Sequence, residues 1–308
     1  MVHIDRLVRC IVTSKNTSNS GTVEREGWLV GAYRRPRNLS ADERGGIHDD
    51  TVAKKLGFRG GTVAGSIHME QFPPLLMRTF GERWFETGGL STYFRNATTD
   101  REPVRACVQR SPVADDSQID VMMEKDDGTL VLEGTASIGA PREPSMLRRK
   151  LAEPRDAGEL RILSQLSPCD METVQARLSR DVVAARAKAV TEPLDWYTKD
   201  SPWGAPIVSP TLVVHLMVGI QNSMHLRRDG AVGLYGAIEV RHLNGPVFVE
   251  REYEVSGNIL QLGTTPKTEY MWYETLLTDA ATGADVASML MMLRFMKASS
   301  PLWAAESS

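Results

Sequence analysis

The apolar and polar residues of this chain follow one order twice, and that repeat limits what the chain can fold into. Residues 64–80 carry Ile67, Met69, Phe72, Leu75, Leu76 and Phe80 at the spacing of a mostly buried helix, which Pro73 and Pro74 must bend or interrupt. Strand-like runs follow at 89–95, 103–110, 118–123 and 129–138, the last two joined by the turn residues Asp126, Asp127 and Gly128. The order then returns. Residues 211–226 are apolar nearly all round, as in a helix buried on every face. Runs at 233–242, 247–262, 268–279 and 285–296 come next, with Asp279-Ala280-Ala281-Thr282-Gly283 in the place of the earlier turn. The expectation is an α+β chain of two similar halves, 1–140 and 195–308, each a helix followed by antiparallel strands. The joining segment, 141–194, opens charged and rich in proline. Its part 171–190 has Val174, Leu178, Val182 and Ala185 at helical spacing and predicts a helical lead-in. The tail after Lys297 is expected to fray.

Composition narrows the function classes. The chain has 308 residues, 42% apolar and 24% charged, with a formal charge of −3, which is ordinary globular composition and a length for about two domains. Such a near-neutral balance gives no electrostatic footprint for nucleic acid or an anionic membrane. The start Met1-Val2-His3-Ile4-Asp5-Arg6 lacks the apolar core of a signal peptide, and no run is long enough to span a bilayer. Cys10, Cys107 and Cys169 are far apart with no CxxC pair, so reduced thiols and a cytoplasmic location are expected. The histidines form neither HxH nor HExxH, and neither a metal nor another cofactor is predicted.

Chemistry concentrates in one loop. Glu43-Arg44-Gly45-Gly46-Ile47-His48-Asp49-Asp50 sets a carboxylate five residues before an imidazole, and Gly57-Phe58-Arg59-Gly60-Gly61-Thr62-Val63-Ala64-Gly65 leads into the first buried helix. An acid and an imidazole on one loop can position and deprotonate a water. A glycine at a helix start leaves backbone N–H groups open to an oxygen.

These residues resemble the loop of the MaoC-like, R-specific enoyl-CoA hydratases and dehydratases of the hotdog fold. That family's pattern is Asp-x-x-x-Leu/Ile-His-x-Asp, then a Gly-Phe turn, then a glycine opening the central helix. Glu43, Ile47, His48, Asp50, Gly57, Phe58 and Gly65 fall on it in order. Two departures stand out: Glu43 replaces the family's Asp, and Gly45-Gly46 replaces its Asn-Pro. The resemblance implies a double hotdog, two antiparallel sheets each wrapped around a long helix and paired edge to edge. It also implies an enoyl or 3-hydroxyacyl thioester of coenzyme A or an acyl carrier protein as substrate. Its carbonyl would lie on the Gly65 N–H, with water held between Glu43 and His48 and with Val63 and Ala64 against the thioester. Asp50 would shape the substrate-binding loop, and a homodimer of double hotdogs is a further assembly open to such a chain.

The second half offers Trp196-Tyr197-Thr198-Lys199-Asp200-Ser201-Pro202-Trp203-Gly204 where the first has its acid and histidine. No histidine follows Asp200 before the helix, so Trp203 and Trp196 read as a pocket wall. Alternatives remain at single positions. Asp42 is a second choice of acid, and Asp49 and Asp50 also suit a turn or cap. Glu70 is the acid a hotdog thioesterase would use, or else a core residue paired with Arg78 or Arg95. His215 and His225 read as core or surface residues, and the run Met289–Met296 suits core packing or a pocket for a bulky chain. Besides a hydratase, a thioesterase and a non-catalytic thioester-binding subunit fit the same residues.

Overall fold

The computed structural model describes residues 21–110, 114–154, 157–188, 190–224, 226 and 230–304. The readings made on Met1–Arg6, His3, Cys10 and His225 lie outside these. Eleven strands form one sheet in the order β1-β2-β4-β5-β6-β3-β8-β11-β10-β9-β7. The expected runs of the first half become β3 (Gly88–Phe94), β4 (Val104–Gln109), β5 (Gln118–Lys125) and β6 (Leu130–Ile138). Those of the second become β8 (Gly233–His242), β9 (Tyr253–Thr264), β10 (Thr268–Asp279) and β11 (Asp285–Met296). All the pairings are antiparallel, and the two halves meet where β3 pairs with β8 from Gly89↔Arg241 to Tyr93↔Ala237. This junction makes the sheet continuous, as expected of two hotdog units joined edge to edge. It also covers two edges whose N–H and C=O groups would otherwise lack partners.

Three strands were not expected. β1 (Val23–Arg25) and β2 (Trp28–Val30) add a hairpin at one edge, and β7 (Asp170–Ala176) closes the other by pairing with β9. The helical reading of 171–190 is therefore corrected for its first part. Ser179 is the N-cap, its hydroxyl accepting from Val182 N–H, and the helix runs only from Arg180 to Ala187. Upstream of that cap the backbone is committed to β9, with a register shift between Met171 and Val174. The tail is likewise more ordered than expected, since Pro301–Ala304 is helical and Trp303 Nε1 donates to Glu269 Oε1 at 2.7 Å.

The central helix of the first half is broken where its prolines lie. In chain order the helices that matter are α1 (Asp50–Lys55), α2 (Gly65–His68), α3 (Pro73–Phe80) and α4 (Trp84–Thr87), with a 3₁₀ turn Met69–Gln71 between α2 and α3. Prolines cannot donate to the preceding turn, so α3 restarts with them at its first positions, where no donor is needed. Met69, Phe72, Leu75 and Leu76 are buried against the sheet. A further helix, α5 (Met146–Ala152), crosses the opposite face of the sheet, where Leu147 packs on Tyr270, Trp272, Leu290 and Met292. After α6 (Arg180–Ala187), the second central helix, α7 (Pro210–Val218), buries Leu212, Val213, Val214, Leu216 and Met217 and leaves His215 exposed. Among the described residues no helix is long and apolar enough to cross a membrane.

Candidate active site

The Glu43–His48 loop is held by its own backbone. Glu43 N–H donates to Ser40 C=O, and Ser40 Oγ donates to Glu43 Oε1, both at 3.0 Å, so a local turn fixes the carboxylate. Asp49 caps α1, accepting from Thr51 and Val52 N–H. Asn38 Nδ2 donates to the His48 carbonyl at 2.8 Å, and Thr62 N–H donates to the Ile47 carbonyl at 3.1 Å. His48 Nδ1 lies 2.7 Å from the Thr62 carbonyl oxygen. A carbonyl can only accept, so Nδ1 carries the proton. Neutral His48 then presents its lone pair at Nε2, the form a general base requires.

These residues face a cavity of about 930 Å³ between the two halves. Glu43, His48, Val63, Ala64 and Gly65 all line it from the first half, and Gln221, Val232, Tyr235, Lys267 and Arg294 line it from the second. Gly65 opens α2, and the residue before it, Ala64, makes no side-chain cap. A Cβ on Gly65 would stand 2.6 Å from the Phe94 ring, so only glycine lets the ring close against the helix start. Glu43 and His48 also line a second, smaller cavity of about 220 Å³ together with Ser40, Ser66 and His215, with room for a few waters beside the acid and the imidazole.

His68 belongs to the same wall as Gly65, one helical turn on. It is buried, its Nε2 lies 2.8 Å from Thr98 Oγ1, and burial pushes its pKa down to about 4, so it stays neutral near pH 7. The signal for it was its three-residue spacing from Gly65, which sets both on one face. Gln221 and Tyr235 had no such signal, because they reach the cavity only through the pairing of the halves.

Two expected substrate contacts are not brought to the large cavity. Asp50 is exposed and is tied to Lys54 Nζ at 2.6 Å and Gly61 N–H at 3.2 Å, so it fixes the loop from outside. Trp203 packs edge-on to Trp196 and Phe85, and its Nε1 donates to Glu86 at 2.8 Å. With Trp84 and the buried His242, these rings form one cluster at the far end of the β3–β8 pair. The large cavity lies at the end of β3 and the start of β8; the aromatic cluster lies at the start of β3 and the end of β8. The pseudo-equivalent place in the second half is thus filled with side chains.

The helix starts differ in the same way. Glu70, 1% exposed, reaches from the 3₁₀ turn to α7, where its Oε1 accepts from Ser209 Oγ at 2.8 Å and Thr211 N–H at 2.9 Å. The expected partners Arg78 or Arg95 are not used; Arg95 pairs with Glu133. Glu70 caps the second central helix and does not line the large cavity. Among the described residues no three His, Cys, Asp or Glu are grouped so as to hold a metal ion.

No protein-family model matches the chain, and no curated protein matches it in sequence. Solved structures match it in shape. One described as a MaoC-like dehydratase aligns with a TM-score of 0.52 and 14% identity over 90% of this chain and 99% of its own. A protein of Chloroflexus aurantiacus described as a MaoC domain dehydratase aligns at 0.56 and 13% identity, over 92% and 99%. A conserved hypothetical protein of Mycobacterium tuberculosis described as having a double hotdog fold aligns at 0.53 and 11% identity, over 91% and 98%. Likeness at such identities is a statement about architecture, and it agrees with the eleven-stranded antiparallel sheet: the chain is a double hotdog, the fold it shares with MaoC-like dehydratases.

Proposed function

We propose that the chain hydrates 2-enoyl thioesters and, in reverse, dehydrates 3-hydroxyacyl thioesters, carried on coenzyme A or an acyl carrier protein. One observation carries the reading: Glu43, His48 and the Gly65 helix start line the same cavity, which the second half completes. The thioester carbonyl accepts from the Gly65 N–H, which draws electron density out of the conjugated double bond. Glu43 and His48 hold a water between them. One of the pair takes a proton from the water as its oxygen bonds to C3. The π electrons move onto the carbonyl as an enolate, and C2 then takes a proton from the pair. Val63 and Ala64 give the thioester an apolar approach.

The thioesterase reading has less support, because Glu70 is buried against α7 and does not line the large cavity. A 2-enoyl thioester is expected to gain water without release of the carrier thiol, and the resemblance assigns the R-3-hydroxyacyl product. Chiral chromatography beside a free-thiol assay tests both. Thiol release without hydration would favour a thioesterase, and neither reaction across short, long and aromatic acyl groups would favour a binding protein. Asp200 is exposed and does not line the cavity. Asp200→Asn is accordingly expected to keep turnover within a few-fold of wild type; a loss like that of a His48 variant would move the catalytic half.

A further inference from the structure

Two cavities meet at the acid–base pair, and four residues stand where they meet. Glu43, His48, Ala64 and Tyr235 line both the cavity of about 930 Å³ and the cavity of about 220 Å³; among the described residues no others line both. Glu43, His48 and Ala64 belong to the first half. Tyr235 comes from the second, on β8. Ser66, Thr211 and His215 line the smaller cavity and not the larger, so the smaller one extends behind the pair, between α2 and α7.

The fold departs from a regular strand to bring Tyr235 there. Side chains alternate between the two faces of a strand. On β8, Ile238 and Val240 belong to the core beneath the central helices, whereas Ala237 packs with Leu147 and Trp272 on the face that α5 crosses. Tyr235, two residues before Ala237, would by that alternation share the α5 face. It does not. The pairing of β8 with β11 shifts register between Met292, opposite Ala237, and Leu293, opposite Tyr235, which leaves Gly236 as an extra residue. This bulge turns Tyr235 to the helix face, where it packs against the core that holds Ile238 and Leu293. Gly236 gives the bulge room, since a Cβ there would stand 2.5 Å from Met292 Cε and 2.7 Å from Arg294 Nε. Bulges of this kind re-aim single side chains and are over-represented beside active sites.

A thioester filling the large cavity displaces the water in it, and the smaller cavity is then the source of the reacting water. A water molecule has two hydrogens to give and two lone pairs to fill. The Glu43 carboxylate and Nε2 of neutral His48 are acceptors, so they take the hydrogens. One lone pair must stay open toward C3. The other needs a donor, which the Ala64 side chain cannot supply and a phenol can.

We infer that Tyr235 is a third catalytic group: its hydroxyl donates to the reacting water where the two cavities meet and fixes which lone pair faces C3. This rests on the hydratase reading above and deepens it. In hydration the water oxygen bonds to C3, its proton passes to Glu43 or His48, and the π electrons move onto the carbonyl. Tyr235 keeps its own proton throughout. In dehydration the C3–O bond breaks with its electron pair on oxygen, which takes the proton back from the acid–base pair. The Tyr235 hydrogen bond stabilises the charge developing on that oxygen.

Tyr235→Phe removes the hydroxyl and keeps the ring. The expected result is a loss of at least about ten-fold in kcat for both hydration and dehydration, below the full cost of an oxyanion donor. KM should stay within about two-fold and the thermal unfolding midpoint should not move. Crystal structures supply a readout that needs no turnover: the wild type should hold a water within hydrogen-bonding distance of the Tyr235 hydroxyl and of Glu43 or His48, and Tyr235→Phe should lose or displace it. The inference is overturned if Tyr235→Phe turns over within about two-fold of wild type, if its loss lies in KM, or if no water touches the hydroxyl. It is equally overturned if Tyr235→Ala is slow while Tyr235→Phe is not, since the ring would then only pack. A wild-type chain that holds this water but hydrates no enoyl thioester would remove the hydratase reading and keep the water site. Wild-type hydration that Tyr235→Phe leaves intact would do the reverse.

Discussion

Replacing His48 by alanine is expected to lower hydratase turnover by about two to four decades, the range for loss of a general acid–base group. The fold should tolerate the change. His48 is only half-buried, and its side chain gives up one hydrogen bond, Nδ1 to the Thr62 carbonyl, worth about 1 kcal/mol. The loop keeps the backbone bonds of Ile47 with Thr62 and the Asn38 bond to the His48 carbonyl. Glu43→Gln should cost about two decades as well, because the amide keeps the turn with Ser40 but cannot take a proton. Steady-state kinetics with thermal unfolding beside them separate a chemical effect from a structural one. Near-wild-type turnover in His48→Ala would end the assignment. Retained activity in Glu43→Gln alone would shift the acid to Asp42, since Asp50 is engaged with Lys54 and Gly61.

The sequence made the repeated core legible because a buried helix and a two-sided strand leave strong periodic patterns. Eight of the strands appear near the predicted runs, and the break in the first helix coincides with Pro73 and Pro74. The edges were harder to read. β7 is mostly exposed and interrupted by a register shift, so its apolar residues do not alternate cleanly. β1 and β2 have three residues each, too few for a period. Their turn did carry a signal: Glu26 and Gly27 both have positive φ, as a two-residue hairpin demands, and Gly27 is the residue that commonly takes it.

Site residues divide along the same line. The loop carboxylate, the histidine and the helix-opening glycine are close in sequence, and local spacing brought them together on paper as in the fold. Arg294, Tyr235 and Gln221 come from another half of the chain, and only the β3–β8 pairing brings them to the cavity. Trp203 was misread for a related reason. Its bulk packs with Phe85 and Trp196 at the other end of the β3–β8 pair and does not line the large cavity.

The stability of the chain is expected to depend on pH through Glu70, and Glu70→Gln should remove that dependence. Burial raises this carboxyl from its ordinary 4.5 to about 7, despite the bonds from Ser209 and Thr211 that favour the charged form. The folded chain therefore holds the proton more tightly than the unfolded chain. Its contribution to folding is greatest below about pH 4.5 and is lost as pH rises toward 7, a difference of roughly 3 kcal/mol. Other buried groups act in the opposite sense: His68 and His242 are both lowered to about 4 by burial, so their contribution grows as pH rises toward 6.5. Burial raises the nearby Tyr197 well above its ordinary value, so it does not titrate in this range. The informative quantity is thus the difference between wild type and Glu70→Gln in urea unfolding at pH 5, 6, 7 and 8. That difference should shift in favour of the variant as pH rises, while parallel curves would mean the carboxyl does not titrate differently in the fold. Glu70→Ala should instead be destabilised at every pH by about 2–4 kcal/mol, since Ser209 Oγ and Thr211 N–H lose their acceptor and a cavity opens beside α7. Hydration by Glu70→Gln should stay near the wild-type rate, because its oxygens serve the second helix rather than the substrate; a thioesterase built on Glu70 would lose its activity in the same variant.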